Sequence, residues 1–163
     1  MIGRRALFPL SAFVLAELGF APSCWAAGEG GSRLAIVVAK GSPLQSIGFH
    51  ELKRLYMGET VNGPEGLRLL ALNQSSVSAE RMRFDRGVLG MTPEQAARYW
   101  IDRKIRGQPG APKAVDMVEV LQRAVAQLRG AVGYCRLDEV RDGLRVLKIE
   151  GKLPTDAGYP VSG

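Results

Sequence analysis

The chain has 163 residues, 46% hydrophobic and 23% charged, which suits one globular domain and excludes wholesale disorder or a collagen-like repeat. Twenty-two Lys and Arg against 16 Asp and Glu leave a formal charge of +6 and a pI near 9.7, a balance that favours an acidic partner or a small anion. Two cysteines and one histidine are too few for a disulfide framework or an ordinary zinc site.

Arg4 and Arg5 open the chain, followed by the apolar run Ala6–Ala16, then Glu17 and a small-residue stretch from Ala21 to Ala27. Positive start, apolar core and small-residue exit make a secretory signal peptide over residues 1–26. Cleavage after Ala26 puts Cys24 and Ala26 where the peptidase needs small side chains. An uncleaved anchor is disfavoured, because eleven apolar residues do not cross about 30 Å of hydrocarbon. A lipoprotein through Cys24 is disfavoured by the preceding Ala-Pro-Ser. The expectation is a periplasmic domain over residues 27–163 with no stable membrane span after cleavage. Export leaves a net charge of +5, takes nucleic acid off the list of partners, and leaves Cys135 as the sole thiol. In its apolar run Cys135 reads as a small buried hydrophobe.

Leu34–Ala39 (LAIVVA) is a short, continuously apolar strand of the kind covered on both faces in a parallel sheet. Lys40-Gly41-Ser42-Pro43 breaks it. Gly48 then caps a helix with Phe49, Leu52, Leu55 and Tyr56 on one face, stopped by Gly58. A turn over 62–66 leads to a strand at Leu67–Leu72. Ser78 caps a helix over Ala79–Leu89 that Gly90 ends. Thr92, Pro93 and Gln95 form a capping box with proline at the first helical position, and the expected apolar face of that helix is Ala97, Trp100, Ile101 and Ile105. A loop over Gly107–Pro112 precedes a helix with Val118, Leu121, Val125 and Leu128 in one stripe, closed by Gly130. Ala131–Cys135 and Leu144–Ile149 are the last strands, and the turn-rich tail from Glu150 is placed on the surface. Alternating strands and helices predict a single three-layer α/β lobe with a small mixed, mainly parallel sheet.

Several strings in this order resemble the phosphate-type periplasmic solute-binding proteins of the type II fold. They are Glu51-Leu52-Lys53-Arg54-Leu55-Tyr56-Met57-Gly58, Val88-Leu89-Gly90-Met91-Thr92-Pro93, Tyr99-Trp100, and Leu128-Arg129-Gly130-Ala131-Val132-Gly133-Tyr134, with Ile149-Glu150-Gly151-Lys152 and Gly158-Tyr159-Pro160 in the tail. The resemblance covers nearly all of residues 33–160 and implies one lobe of a protein that normally closes two lobes on a phosphate. It also implies an arginine at position 74 and Ser-Gly-Thr at 78–80. The chain has Gln74, Ser78, Ala79 and Glu80 there, so only the serine is kept, and Gly63 replaces a tryptophan of the family.

The residues themselves point to the loop Asn73–Ser78, where a strand feeds a helix start and backbone N–H groups meet the positive end of a helix dipole. Ser75, Ser76 and Ser78 add hydroxyl donors, and Arg81 or Arg83 supplies charge from the first turn; Ser75, Ser76, Ser78 and Arg81 are the candidate ligand-binding residues. The plainer reading of Ser78 is an N-cap, with the other serines a polar loop. Basic residues from Arg81 to Arg106 form either a solvated surface or a positive face for an acidic partner or anionic lipid. His50 reads as exposed surface, and Tyr99 and Trp100 as core-edge residues. No nucleophile elbow, metal-ligand spacing or glycine-rich nucleotide loop is present, so no enzyme, cofactor or metal is expected. Two functions follow: an exported module holding phosphate or another small oxyanion for an ABC-type uptake or sensing system, or a module without ligand that serves an envelope membrane protein.

Overall fold

A computed structural model describes residues 33–161; the signal-peptide reading of residues 1–26 lies outside the described residues. Among the described residues, seven strands and four α-helices run in the order β1 (Leu34–Ala39), β2 (Ser46–Ile47), α1 (Phe49–Tyr56), β3 (Leu70–Gln74), α2 (Ala79–Phe84), α3 (Pro93–Ile105), β4 (Lys113–Val115), α4 (Val118–Gln127), β5 (Ala131–Arg136), β6 (Leu144–Val146) and β7 (Lys148–Ile149). The main sheet has the order β4-β3-β5-β1-β6, and β2 and β7 form a separate parallel pair. β3 runs parallel to both neighbours, whereas β1 is antiparallel to both of its own. The sheet is therefore mixed, and its interior strand β1 departs from the expected parallel setting. Its unbroken apolar run reflects helices on both faces, which is what two-sided burial requires whatever the strand direction.

Side-chain alternation along β1 divides the core in two. Leu34, Ile36 and Val38 pack with Leu52, Leu55 and Tyr56 of α1 and with Phe84 and Val88. Ala35 and Val37 face Leu121 and Val125 of α4, with Cys135 beside them. Small residues on this second face let α4 approach closely: a Cβ on Gly133 would lie 2.8 Å from both Leu121 Cδ2 and Val125 Cγ2. Each fully buried Leu, Val or Phe contributes about 1.5–3 kcal/mol by leaving water.

Four expectations are corrected. β3 begins at Leu70 and continues into Asn73 and Gln74, because Leu67–Leu69 are held by an Asn62–Arg68 bridge and the hydrogen bond from Leu69 N–H to Val61 O (3.0 Å). The helix capped by Ser78 ends at Phe84 and passes into a π-helical turn over Asp85–Leu89, closed by Gly90 at φ 70°. On α3 the packed side chains are Ala96, Tyr99, Trp100 and Arg103, and Ala97, Ile101 and Ile105 face solvent. The tail is turn-rich, yet it buries Tyr159 and Val161 against the α1-side core. β4 and β2 are elements that their short segments did not announce, and β7 is the end of the expected strand Leu144–Ile149, which breaks after β6 at Leu147 and leaves the main sheet to pair with β2.

Candidate functional site

β3 delivers Asn73 and Gln74 to the sheet end, the loop 75–78 turns there, and α2 leaves from it. Local chemistry fixes the turn. Ser78 N–H donates to Ser75 O (3.0 Å), and Ser75 N–H donates to Val115 O (3.1 Å), tying the loop to β4. Ser78 Oγ accepts from Arg81 N–H (3.0 Å), satisfying one of the open donors of the first helical turn, and donates to Gln74 Oε1 (3.1 Å).

The loop's inner side is a closed polar network. Gln74 Nε2 donates to Tyr134 O (2.9 Å), and Gln74 N–H to the Tyr134 hydroxyl (3.3 Å), which in turn donates to Asn73 Oδ1. Arg81 Nε lies 2.8 Å from both oxygens of Asp85, one helical turn on, and its guanidinium also donates to Gln74 O (3.3 Å). Arg81 is 8% exposed and Asp85 3%. Below them Phe84 stacks on Tyr134 with ring centroids 4.1 Å apart, and Tyr56 leans on Phe84 at 4.5 Å.

Burial pushes the Asp85 carboxyl above its usual range, and the Arg81 guanidinium opposes that rise. Burial likewise raises the Tyr134 and Tyr56 phenols, so both stay neutral donors. The Cys135 thiol is pushed up to about 12 by burial and by Glu139 and Asp138 nearby. These states suit a structural network; none supplies a base or nucleophile near neutral pH.

The structure places the four candidate residues on one loop and its helix but points them different ways. Ser76 is exposed and Ser75 half-buried, next to Val77 at 83% exposure. Ser78 and Arg81 turn inward, the first to Gln74 and the second to Asp85. Sequence reasoning did not single out Asn73, Asp85 or Tyr134. The Arg81–Asp85 spacing of four on a helix was the available signal for one of them; Asn73 and Tyr134 lie too far apart in sequence to offer any.

A second feature adjoins the loop. β4 and α4 border a cleft of about 460 Å³ lined by Leu72, Val115, Met117, Val120, Ala124 and Leu128, of which Met117, Val120 and Leu128 are exposed. Among the described residues no group of three or more His, Cys, Asp or Glu comes together as a metal site, and no helix is long and apolar enough to cross a membrane.

No family model matches the chain, and no curated protein matches it. Solved structures do. An ABC-type phosphate transport receptor from Vibrio cholerae aligns over 80% of this chain and 53% of its own, with a TM-score of 0.63 and 19% identity. A putative phosphate ABC transporter substrate-binding protein with bound phosphate, from Clostridium perfringens, aligns over 73% and 45% at a TM-score of 0.58 and 19% identity. PstS from Borrelia burgdorferi aligns over 76% and 49% at 0.57 and 18%. At these identities the likeness is one of fold, and the chain spans about half the length of the structures it matches. Its α/β architecture is thus that of part of a phosphate-type binding protein, as the sequence motifs imply.

Proposed function

We propose that this chain is an exported module with a binding-protein fold that holds no small oxyanion and acts by docking within the cell envelope. The closed network at the head of α2 carries the reading. An oxyanion needs donors that are free to turn to it. Here Gln74 occupies the position where the resemblance implies an arginine, Ser78 is spent on a cap and on Gln74, and the Arg81 guanidinium is held by Asp85. Glu80 adds negative charge at the same helix start. Exposed Met117, Val120 and Leu128 support a role through surfaces.

A second reading has its own support: one protein of this fold has phosphate bound, and Ser76 stands exposed on the loop beside half-buried Ser75. It makes the chain an oxyanion-binding module whose ligand meets Ser75, Ser76, Ser78 and Arg81. Calorimetric titration of residues 27–163 with phosphate and sulfate separates the two. Flat heats support the docking module. Saturable micromolar binding, abolished by Ser78→Asp, establishes the oxyanion site.

A further inference from the structure

Residues 91–116 form a long outer segment in which only Ala96 is buried. It comprises α3, the loop that follows and β4. Among the described residues no other helix or strand packs along α3. A helix with so little apolar cover owes its place to a few fastenings. The Tyr99 hydroxyl donates to Met57 O (3.0 Å), the Trp100 ring lies against Gly58, and Arg103 covers both rings with its guanidinium carbon 5.7 and 5.8 Å from their centroids. These three side chains meet the body of the fold at one place, just past the end of α1.

The rest of the segment is no more firmly held. A cleft of about 400 Å³ lies between the loop and the body, with Leu55, Leu69 and Ala71 on one side and Pro109, Gly110 and Pro112 on the other. β4 is three residues long, none of them buried, and it pairs with β3 at the edge of the sheet. Arg103 Nε donates to Pro109 O (3.2 Å), which joins α3 to the loop that leads into β4. At its start the segment leaves the π-helical turn through Gly90, left-handed at φ 70°. At its end α4 begins from Met117 without a side-chain cap. Both ends can therefore turn without breaking a packed element.

We propose that residues 91–116 are a strap that opens as a unit while both cores stay folded, with Tyr99, Trp100 and Arg103 as its latch beside α1. Opening parts β4 from β3 and breaks the bond from Ser75 N–H to Val115 O (3.1 Å), the tie between the loop 75–78 and β4. The strap thus sets how firmly the loop at the head of α2 is held. This goes beyond the docking reading and stands with either outcome of the phosphate titration, because it follows from how the segment is fastened.

Native-state hydrogen exchange tests it, on residues 27–163, which contain the whole described fold with both of its cores. Each amide is followed by NMR at neutral pH, without urea and in low urea. The amides of α3 and the Ser75 amide should exchange through one common opening, roughly 100-fold or more faster than those of β1 and β5. Their rates should also depend less on urea, because opening the strap exposes less surface than unfolding. Tyr99→Phe removes the bond to Met57 O and should speed α3 and Ser75 together, roughly fivefold. Ile36→Val thins the core between β1 and α1, which stays packed when the strap is open. It should speed β1 and β5 roughly fivefold and leave α3 and Ser75 within about twofold of wild type. Exchange of α3 as slow as that of β1 overturns the proposal, since the segment then opens only when the whole fold does. Ile36→Val speeding α3 as much as β1 overturns it for the same reason. Tyr99→Phe leaving α3 unchanged removes the latch, and Tyr99→Phe moving α3 but not Ser75 refutes a strap that opens as one unit.

Discussion

Replacing Asp85 with Asn isolates what the buried ion pair does. The wild-type pair has side chains 10% and 4% exposed, with Arg81 Nε 2.8 Å from the carboxylate. Asparagine keeps the shape and one acceptor but removes the counter-charge, leaving a guanidinium inside the fold with only Gln74 O and a neutral amide as partners. Breaking a buried pair from one side costs about 3–5 kcal/mol. Against a typical domain stability of about 5–15 kcal/mol that is a large share, and with a urea slope of about 2 kcal/mol/M the unfolding midpoint should fall by about 2 M. Arg81→Met with Asp85→Leu removes both charges and should lie within about 1 kcal/mol of wild type, because the desolvation cost goes with the attraction. Urea unfolding followed by circular dichroism reads all three proteins. If Asp85→Asn loses less than about 1 kcal/mol, the pair is not the buried, committed unit described here, and Arg81 is free to turn outward to a ligand.

Two further outcomes are expected. Ser78→Ala removes the cap on Arg81 N–H and the bond to Gln74, and should cost about 1 kcal/mol by the same unfolding assay. Gly133→Ala forces a Cβ within 2.8 Å of Leu121 and Val125 and should cost about 1–3 kcal/mol, with a lowered melting temperature.

The helix α1 was legible because Phe49, Leu52, Leu55 and Tyr56 repeat at helical spacing and Gly58 follows, at φ 83°. α3 was legible as a helix, since Thr92, Pro93 and Gln95 mark its start by local chemistry. Its packed side was not: apolar periodicity ranks isoleucine above arginine, while the body of the protein offered Met57 O and Gly58 to an aromatic pair. β4 is three residues behind Pro112 and owes its existence to pairing with β3, a contact no local pattern carries. At the site, the cap at Ser78 and the missing arginine at Gln74 could be read directly. What Gln74 does instead depends on Tyr134, sixty residues away, and only the folded sheet brings the two together. The inward turn of Arg81 was open to either solvent or Asp85 until burial decided it.

Calorimetric titration of residues 27–163 with phosphate at low salt tests the central claim most directly. The account predicts flat heats throughout, because Gln74, Ser78 and Arg81 are already bonded within the fold. Saturable heats at micromolar phosphate that disappear in Ser78→Asp would contradict it.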